Sequence, residues 1–231
     1  MRFDTRCVAG LMALAILPAS PALPPRAAPT RVAVADSGAF VIRHAADTVA
    51  MERFTRTPTG LTGTLEIRNE KQTLQSYKAV VAPDASVALI EVTVKERPIK
   101  ESEPRVVHSA RVIFKEDSAA VDDMSERGLQ TRVFGTERGA VPYLNLSFAL
   151  LEQAVLRSRD PGAAAGQVPL FNLGGGQVGG GQTLDAKVSP LGGDSVVIAI
   201  GNVEFRLRVD PSGRVLGGRI PAQNVEVERT S

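Results

Sequence analysis

Thr57-Pro58-Thr59-Gly60-Leu61-Thr62-Gly63-Thr64-Leu65-Glu66-Ile67-Arg68 is the stretch that decides the fold. Pro58 and Gly60 supply turn chemistry. After that turn, Leu61, Gly63, Leu65 and Ile67 share one face of an extended chain, and Thr62, Thr64, Glu66 and Arg68 share the other. A period of two residues with one apolar face marks a half-buried β-strand.

The same period continues in both directions. Towards the N-terminus, Phe40 and Ile42 alternate with Val41 and Arg43, and Thr48 to Thr55 forms a second strand after Ala45-Ala46-Asp47. Towards the C-terminus, Leu74 to Ala82 groups Tyr77, Ala79 and Val81. Val87 to Lys95 groups Ala88, Ile90, Val92 and Val94, and Arg105 to Lys115 groups Val106, His108, Ala110, Val112 and Phe114. Leu129 to Thr136 is a weaker strand. Turns are expected at Pro83-Asp84, Pro98, Pro104 and the acidic pair Asp122-Asp123. Successive strands with short connections form an antiparallel meander.

Residues 142–159 break the pattern. Leu144, Phe148, Leu151 and Val155 follow helical spacing, and Leu146, Leu150, Ala154 and Leu156 add apolar residues on other sides. A helix that is apolar over most of its circumference is buried. Asp160-Pro161-Gly162 ends it. The glycine-rich segment 174–181 is a flexible connection, and strands then resume. Leu184, Ala186 and Val188 alternate, Ser195 to Ile200 is apolar throughout, and Val203, Phe205, Leu207 and Val209 alternate again. Asp210-Pro211-Ser212-Gly213 turns into Arg214 to Ile220, and Val225 and Val227 mark a last strand. The expected fold is mainly β, with one long buried helix laid across an antiparallel sheet, in a single domain over residues 38–231.

The N-terminus sets the compartment. Arg2 and Arg6 precede an apolar run from Val8 to Leu17, and Ser20-Pro21-Ala22 follows as a small-x-small exit. That is the pattern of a secretory signal peptide over residues 1–22, cleaved near Ala22. The run is too short to span a bilayer as a helix. Residues 23–37, rich in Pro, Ala and Arg at their start, read as a disordered leader. A periplasmic or secreted location is expected. Cys7, the only cysteine, precedes the apolar run, where a lipid-attachment cysteine would follow it. The mature chain then has no disulfide, thiol nucleophile or cysteine metal site. A net charge of +2 with scattered Lys and Arg gives no reason to expect nucleic acid as a partner. The absence of tryptophan argues against a carbohydrate-stacking platform.

Candidate chemistry is sparse. Asp36-Ser37-Gly38 resembles the Asp-Ser/Thr-Gly signature of aspartic proteases, with Ile198-Ala199-Ile200-Gly201 as a buttressing segment. That chemistry needs two carboxylates sharing a proton. A single Asp36 could supply them only in a homodimer, so the expectation is that Asp36 ends the leader. His44 and His108 are the only histidines, and with no acid at ligand spacing they read as core or pocket-lining residues. Asp122, Asp123 and Glu126 lack calcium-loop spacing and read as a solvated turn. The glycine segment lacks the Lys-Ser/Thr of a phosphate loop. No catalytic residue, metal site or cofactor is expected.

One resemblance adds to this. Phe40-Val41-Ile42, then Asp47 to Phe54, then Gly60 to Ile67, resembles the first strands of uncharacterised secreted bacterial domains, themselves similar to the periplasmic lipoprotein-carrier half-barrels. Asp210-Pro211-Ser212-Gly213-Arg214-Val215 followed by Ile220-Pro221 fits the same cadence. The resemblance implies a curved antiparallel sheet or open half-barrel wrapped around helix, with an apolar concave face able to hold an acyl chain or similar lipophile. On that face Ile90, Val92, Val106, His108, Val112 and Phe114 would form a floor, with Phe148 facing it from the helix. The first expectation is a non-enzymatic exported protein whose open face binds a lipophilic small molecule or envelope component; the alternative, if Phe148 and its neighbours plug the face, is a structural or interaction module.

Overall fold

The computed structural model describes residues 35–97, 103–163, 165–174 and 181–230. The segment expected to be a signal peptide, the start of the expected leader and the centre of the glycine segment lie outside these residues. The described residues form one compact unit.

The strands are β1 (Asp36–His44), β2 (Asp47–Thr57), β3 (Gly60–Ile67), β4 (Thr73–Val81), β5 (Val87–Glu96), β6 (Arg105–Phe114), β7 (Ser118–Ser125), β8 (Gly128–Gly135) and β9 (Val141–Tyr143). Helix α1 (Phe148–Ser158) follows, then β10 (Gln167–Asn172), β11 (Gln182–Pro190), β12 (Ser195–Ile200), β13 (Val203–Val209), β14 (Val215–Ile220) and β15 (Val225–Thr230). The 15 strands form one sheet in the order β8-β7-β6-β5-β4-β3-β2-β1-β15-β14-β13-β12-β11-β10-β9. Neighbours are antiparallel except β9 and β10, which are parallel. The fold is mainly β, one curved open sheet around a single α-helix among the described residues.

The strand order forces the curvature. β8 and β9 are the two edges of the sheet, yet they are consecutive in the chain. Laid flat at about 4.8 Å per strand, the edges would lie about 67 Å apart. From Gly135 to Val141 the chain can reach only about 22 Å. The sheet must therefore curl until its edges approach. Phe171 on β10 closes the seam, meeting Phe114 edge-on at 5.5 Å and Phe134 at 6.0 Å. Thr183 on β11 donates to the carbonyl of Gly135 at 3.3 Å.

α1 lies inside this wrap. Its residues from Phe148 to Val155 are all buried. Phe148 packs on Phe40 at 5.9 Å, and Phe40 stacks on Phe54 at 5.4 Å. The expected helix over 142–159 begins later, because Val141-Pro142-Tyr143 pairs with Leu170-Phe171-Asn172 as the edge strand β9. Pro142 is tolerated there because one side of an edge strand needs no N–H donor.

Three further expectations are corrected. Asp122-Asp123 is not a turn but the middle of β7, where Ala119, Val121 and Asp123 alternate inward. The sheet begins at Asp36, two residues before the expected boundary, because Asp36 pairs across β1–β2 with Arg56 and its side chain engages Arg229. Ala88 and Val106 are displaced from the inward face by β-bulges. The register shift at Val80/Val81 turns Val87 inward, and the shift at Val94/Lys95 sets Val106 opposite Lys95. An inserted residue moves every later side chain to the other face.

Candidate functional site

Two polar clusters occupy the inner face of the sheet. The first seats α1. Ser147 caps the helix, accepting the Leu150 N–H at 3.3 Å. Glu52, at an inward position of β2 between Ala50 and Phe54, lies against the same end. Its carboxylate accepts from the N–H groups of Phe148 (2.7 Å) and Ala149 (3.0 Å), from Ser147 Oγ (2.5 Å) and from the Tyr77 hydroxyl (2.7 Å). The exposed amides of a helix N-terminus form a favourable anion site, and here the anion belongs to the protein. Gly63 makes the arrangement possible, since a Cβ at that position would stand 2.3 Å from the Tyr77 ring.

Farther along α1, Glu152 is fully buried and accepts from Arg56 Nε (3.1 Å), Arg229 Nη1 (3.2 Å) and the Val215 N–H (2.7 Å). Arg56 also donates to Gln153 and to the Ala149 carbonyl. Arg229 spans two acids. It forks onto both oxygens of Asp36 at 2.9 Å and lies over the Phe54 ring at 5.0 Å. At the last turn, Arg157 donates to the Asp84 carbonyl (2.9 Å) and carboxylate (3.1 Å) and to Asp160 (3.0 Å). The helix is thus tied to β2, β15, the β4–β5 turn and the start of β14 by charged side chains as well as by packing, and through Arg229 to Asp36 of β1.

These acids titrate in different directions. Burial pushes the Glu52 carboxyl above the usual carboxylate range, against the hydrogen bonds from Ser147, Tyr77, Ala149 and Phe148. Burial likewise raises Glu152, opposed by Arg56, the Val215 amide and Arg229. Burial, then the charge of Glu52, holds Tyr77 well above the ordinary tyrosine value, so it remains a donor. Burial favours a raised value for the more exposed Asp84 too, but hydrogen bonds from Ser86 and the charge of Arg157 outweigh it and bring it below.

The second cluster lies on β4, β6 and β7. His108 Nε2 and Asp123 Oδ1 are 3.0 Å apart, and both residues are buried. Their mutual orientation does not form a directed hydrogen bond, and both atoms lack another partner, as does the buried Gln75 Oε1. Arg132 reaches the other Asp123 oxygen at 3.4 Å. Gln75, Val94 and His108 are opposite one another across β4, β5 and β6.

The expected floor residues divide accordingly. Ile90, Val92 and Val112 are sealed in the core together with Phe148, each at 1% exposure or less. His108 joins them with its acidic neighbour. Phe114 packs on Phe171 at the seam. Val106 is 58% exposed and stands apart, beyond the bulge. His44 is exposed at the end of β1 and shares no site with His108. Asp36, read as the end of a leader, is one end of the Asp36–Arg229–Glu152 chain, and the two acids share an arginine rather than a proton. Sequence reasoning missed Glu52, Arg56, Glu152 and Arg229. A signal existed for the acids, since Glu52 sits in an inward row and Glu152 on an apolar helix.

A cleft of about 480 Å³ opens at the C-terminal end of α1, lined by Asp84, Glu137, Arg157, Asp160, Gln167 and Asp185 among others. It is polar, and Arg157 within it is already neutralised by Asp84 and Asp160. No group of three or more metal-ligating side chains occurs among the described residues. No helix among them is long and apolar enough to cross a membrane.

Comparison with known proteins supports the fold. No protein-family model and no curated protein sequence matches the chain. The solved structure of a DUF1089 family protein from Pseudomonas aeruginosa is similar, with a TM-score of 0.55 at 12% identity over 76% of this chain and 91% of that one. A β-barrel-like protein of the domain of unknown function DUF1849 from Brucella abortus gives 0.49 at 11% identity, over 87% of this chain and 96% of that one. At such identities the first likeness establishes shared architecture, and function does not travel with a fold.

Proposed function

We propose that this chain is an exported, non-enzymatic module of the bacterial cell envelope that acts by contact with other envelope components, its β wrap being filled by its own helix. The seating of α1 carries this reading. Phe148 is fully buried against Phe40, and the helix is tied at its start, middle and end by Glu52, Glu152 and Arg157. A carrier that opened its interior would have to break all three ties. The N-terminal pattern around Arg2, Arg6 and residues 8–22 supports export.

The polar pair in the floor favours a second reading. His108, Asp123 and Gln75 bring polar atoms without directed partners into an apolar surround. Ligand sites are mostly apolar with a few placed polar groups, so a lipophile with a polar head would suit this face. The resemblance to lipoprotein-carrier half-barrels points the same way.

One preparation separates the readings. The full chain is expressed in a Gram-negative host, and the periplasmic fraction is weighed intact and by native mass spectrometry before and after organic extraction. The proposal expects loss of residues 1–22 and no stoichiometric lipophile. A stoichiometric lipophile that His108→Leu removes would establish the carrier reading instead. An uncleaved N-terminus, or diacylglycerol on Cys7, would overturn the proposed processing.

A further inference from the structure

The outer edge of β8 pairs with no strand among the described residues. Seven of its eight residues, Gly128-Leu129-Gln130-Thr131-Arg132-Val133-Phe134-Gly135, are exposed, Phe134 being the half-buried one. The other sheet edge, β9, is three residues long and mostly buried. Natural edge strands are usually guarded by shortness, proline, lysine or a bulge. β8 has eight residues, pairs with β7 without a register shift, and contains neither proline nor lysine.

The main-chain geometry shows which residues could pair outward. Thr136 donates its N–H to the Asp117 carbonyl at 2.9 Å, and the β7–β8 register continues unbroken from that pair. In an antiparallel ladder hydrogen-bonded pairs alternate. Even-numbered residues of β8 therefore turn their N–H and C=O groups to β7, and odd-numbered residues turn theirs to the open edge. The Gly135 carbonyl agrees, since it faces outward and accepts from Thr183 of β11. That contact covers the last residue and leaves Leu129, Thr131 and Val133 as the open row.

This row is self-complementary. In an antiparallel pair centred on Thr131, Leu129 of one copy meets Val133 of the other, Thr131 meets Thr131, and Gln130 meets Arg132. Apolar and Thr–Thr cross-strand pairs are favourable. A register one residue further would set Arg132 directly against Arg132, which like-charge repulsion disfavours. Leu129 and Val133 are 61% and 71% exposed, and Met124 beside Leu129 is 47% exposed, so the same face offers apolar area to a symmetric neighbour. We propose that two copies of this chain associate through β8, antiparallel and centred on Thr131, to form a two-fold dimer whose sheet runs continuously from one copy into the other. The contact is isologous and closed, so it ends at two copies rather than growing a fibre.

Analytical ultracentrifugation and native mass spectrometry of the full chain test this directly. The wild type should sediment as a dimer at tens of micromolar. Thr131→Pro removes an outward N–H that no strand among the described residues uses, and Val133→Lys puts a charge into the apolar pair. Each should weaken association roughly tenfold or more while leaving the circular dichroism spectrum unchanged. Val106→Lys, exposed but away from the edge, should remain dimeric. If Thr131→Pro unfolds the chain, Val133→Lys decides the question alone. A monomeric wild type, or a dimer that Val133→Lys leaves intact, would overturn the proposal. So would a monomer with slow hydrogen exchange at Leu129, Thr131 and Val133, because another segment or chain would then cover the edge.

Discussion

Two buried acids on the inner face of the same sheet are treated in opposite ways. Glu52 receives four hydrogen bonds from Tyr77, Ser147 and the first amides of α1. Asp123 has a histidine at 3.0 Å without a directed bond and an arginine at 3.4 Å. A fully satisfied buried charge fixes one arrangement of the elements around it, whereas a partly satisfied one costs stability and leaves room for another partner. The helix seat is therefore where the fold is specified, and the β6–β7 hairpin is where it is still open to change.

Substitutions at the seat should show the largest effects. Glu52→Ala strands Tyr77, Ser147 and two helix amides and should cost about 3–5 kcal/mol, read by urea denaturation. Loss below about 1 kcal/mol would erase the contrast between the two sites. The pH dependence sharpens it. Because burial raises the Glu52 carboxyl in the folded state, its contribution is most favourable below the ordinary carboxylate range and declines as pH rises from there through the raised value. Glu52→Gln should remove that slope from the stability profile.

Phe148→Ala should cost about 3–5 kcal/mol by leaving a cavity against Phe40. A smaller effect, matching that of an exposed position, would mean that the helix is loosely held. Arg157→Ala comes next, at about 1–3 kcal/mol, because the buried guanidinium satisfies the Asp84 carbonyl as well as two carboxylates. Asp36→Asn should cost about 1–2 kcal/mol through the lost fork to Arg229. An unchanged melting temperature would return Asp36 to the role of a leader residue.

The smallest effect belongs to the hairpin. His108→Leu combined with Asp123→Leu should change stability by less than about 1 kcal/mol or raise it, since apolar replacement of both partners removes an imperfectly satisfied pair. A loss as large as that of Glu52→Ala would show that the pair is as structural as the seat.

The strands legible in the sequence are those whose alternation is unbroken, such as Leu61 to Ile67 and Val203 to Val209. β7 was hidden because Asp122-Asp123 looks like turn chemistry, and only burial beside His108 gives Asp123 an inward place. Ala88 and Val106 were misplaced because a bulge depends on the paired strand as well as on its own residues. The seat was illegible for a related reason. Glu52 and Ser147 are 95 residues apart, as nothing in local pattern could reveal.

The sequence by itself determined the alternation of the unbroken strands, the turns carrying Pro and Gly such as Thr57–Gly60, and a helix apolar over most of its circumference, because each follows from neighbouring residues and the geometry of one chain segment. Only the tertiary structure decided the curl of the sheet, the partners of the buried charges and the place of β8 at an edge with no further strand among the described residues. Those depend on which distant strands become neighbours, and that is settled by the joint need to cover α1 and satisfy its polar groups.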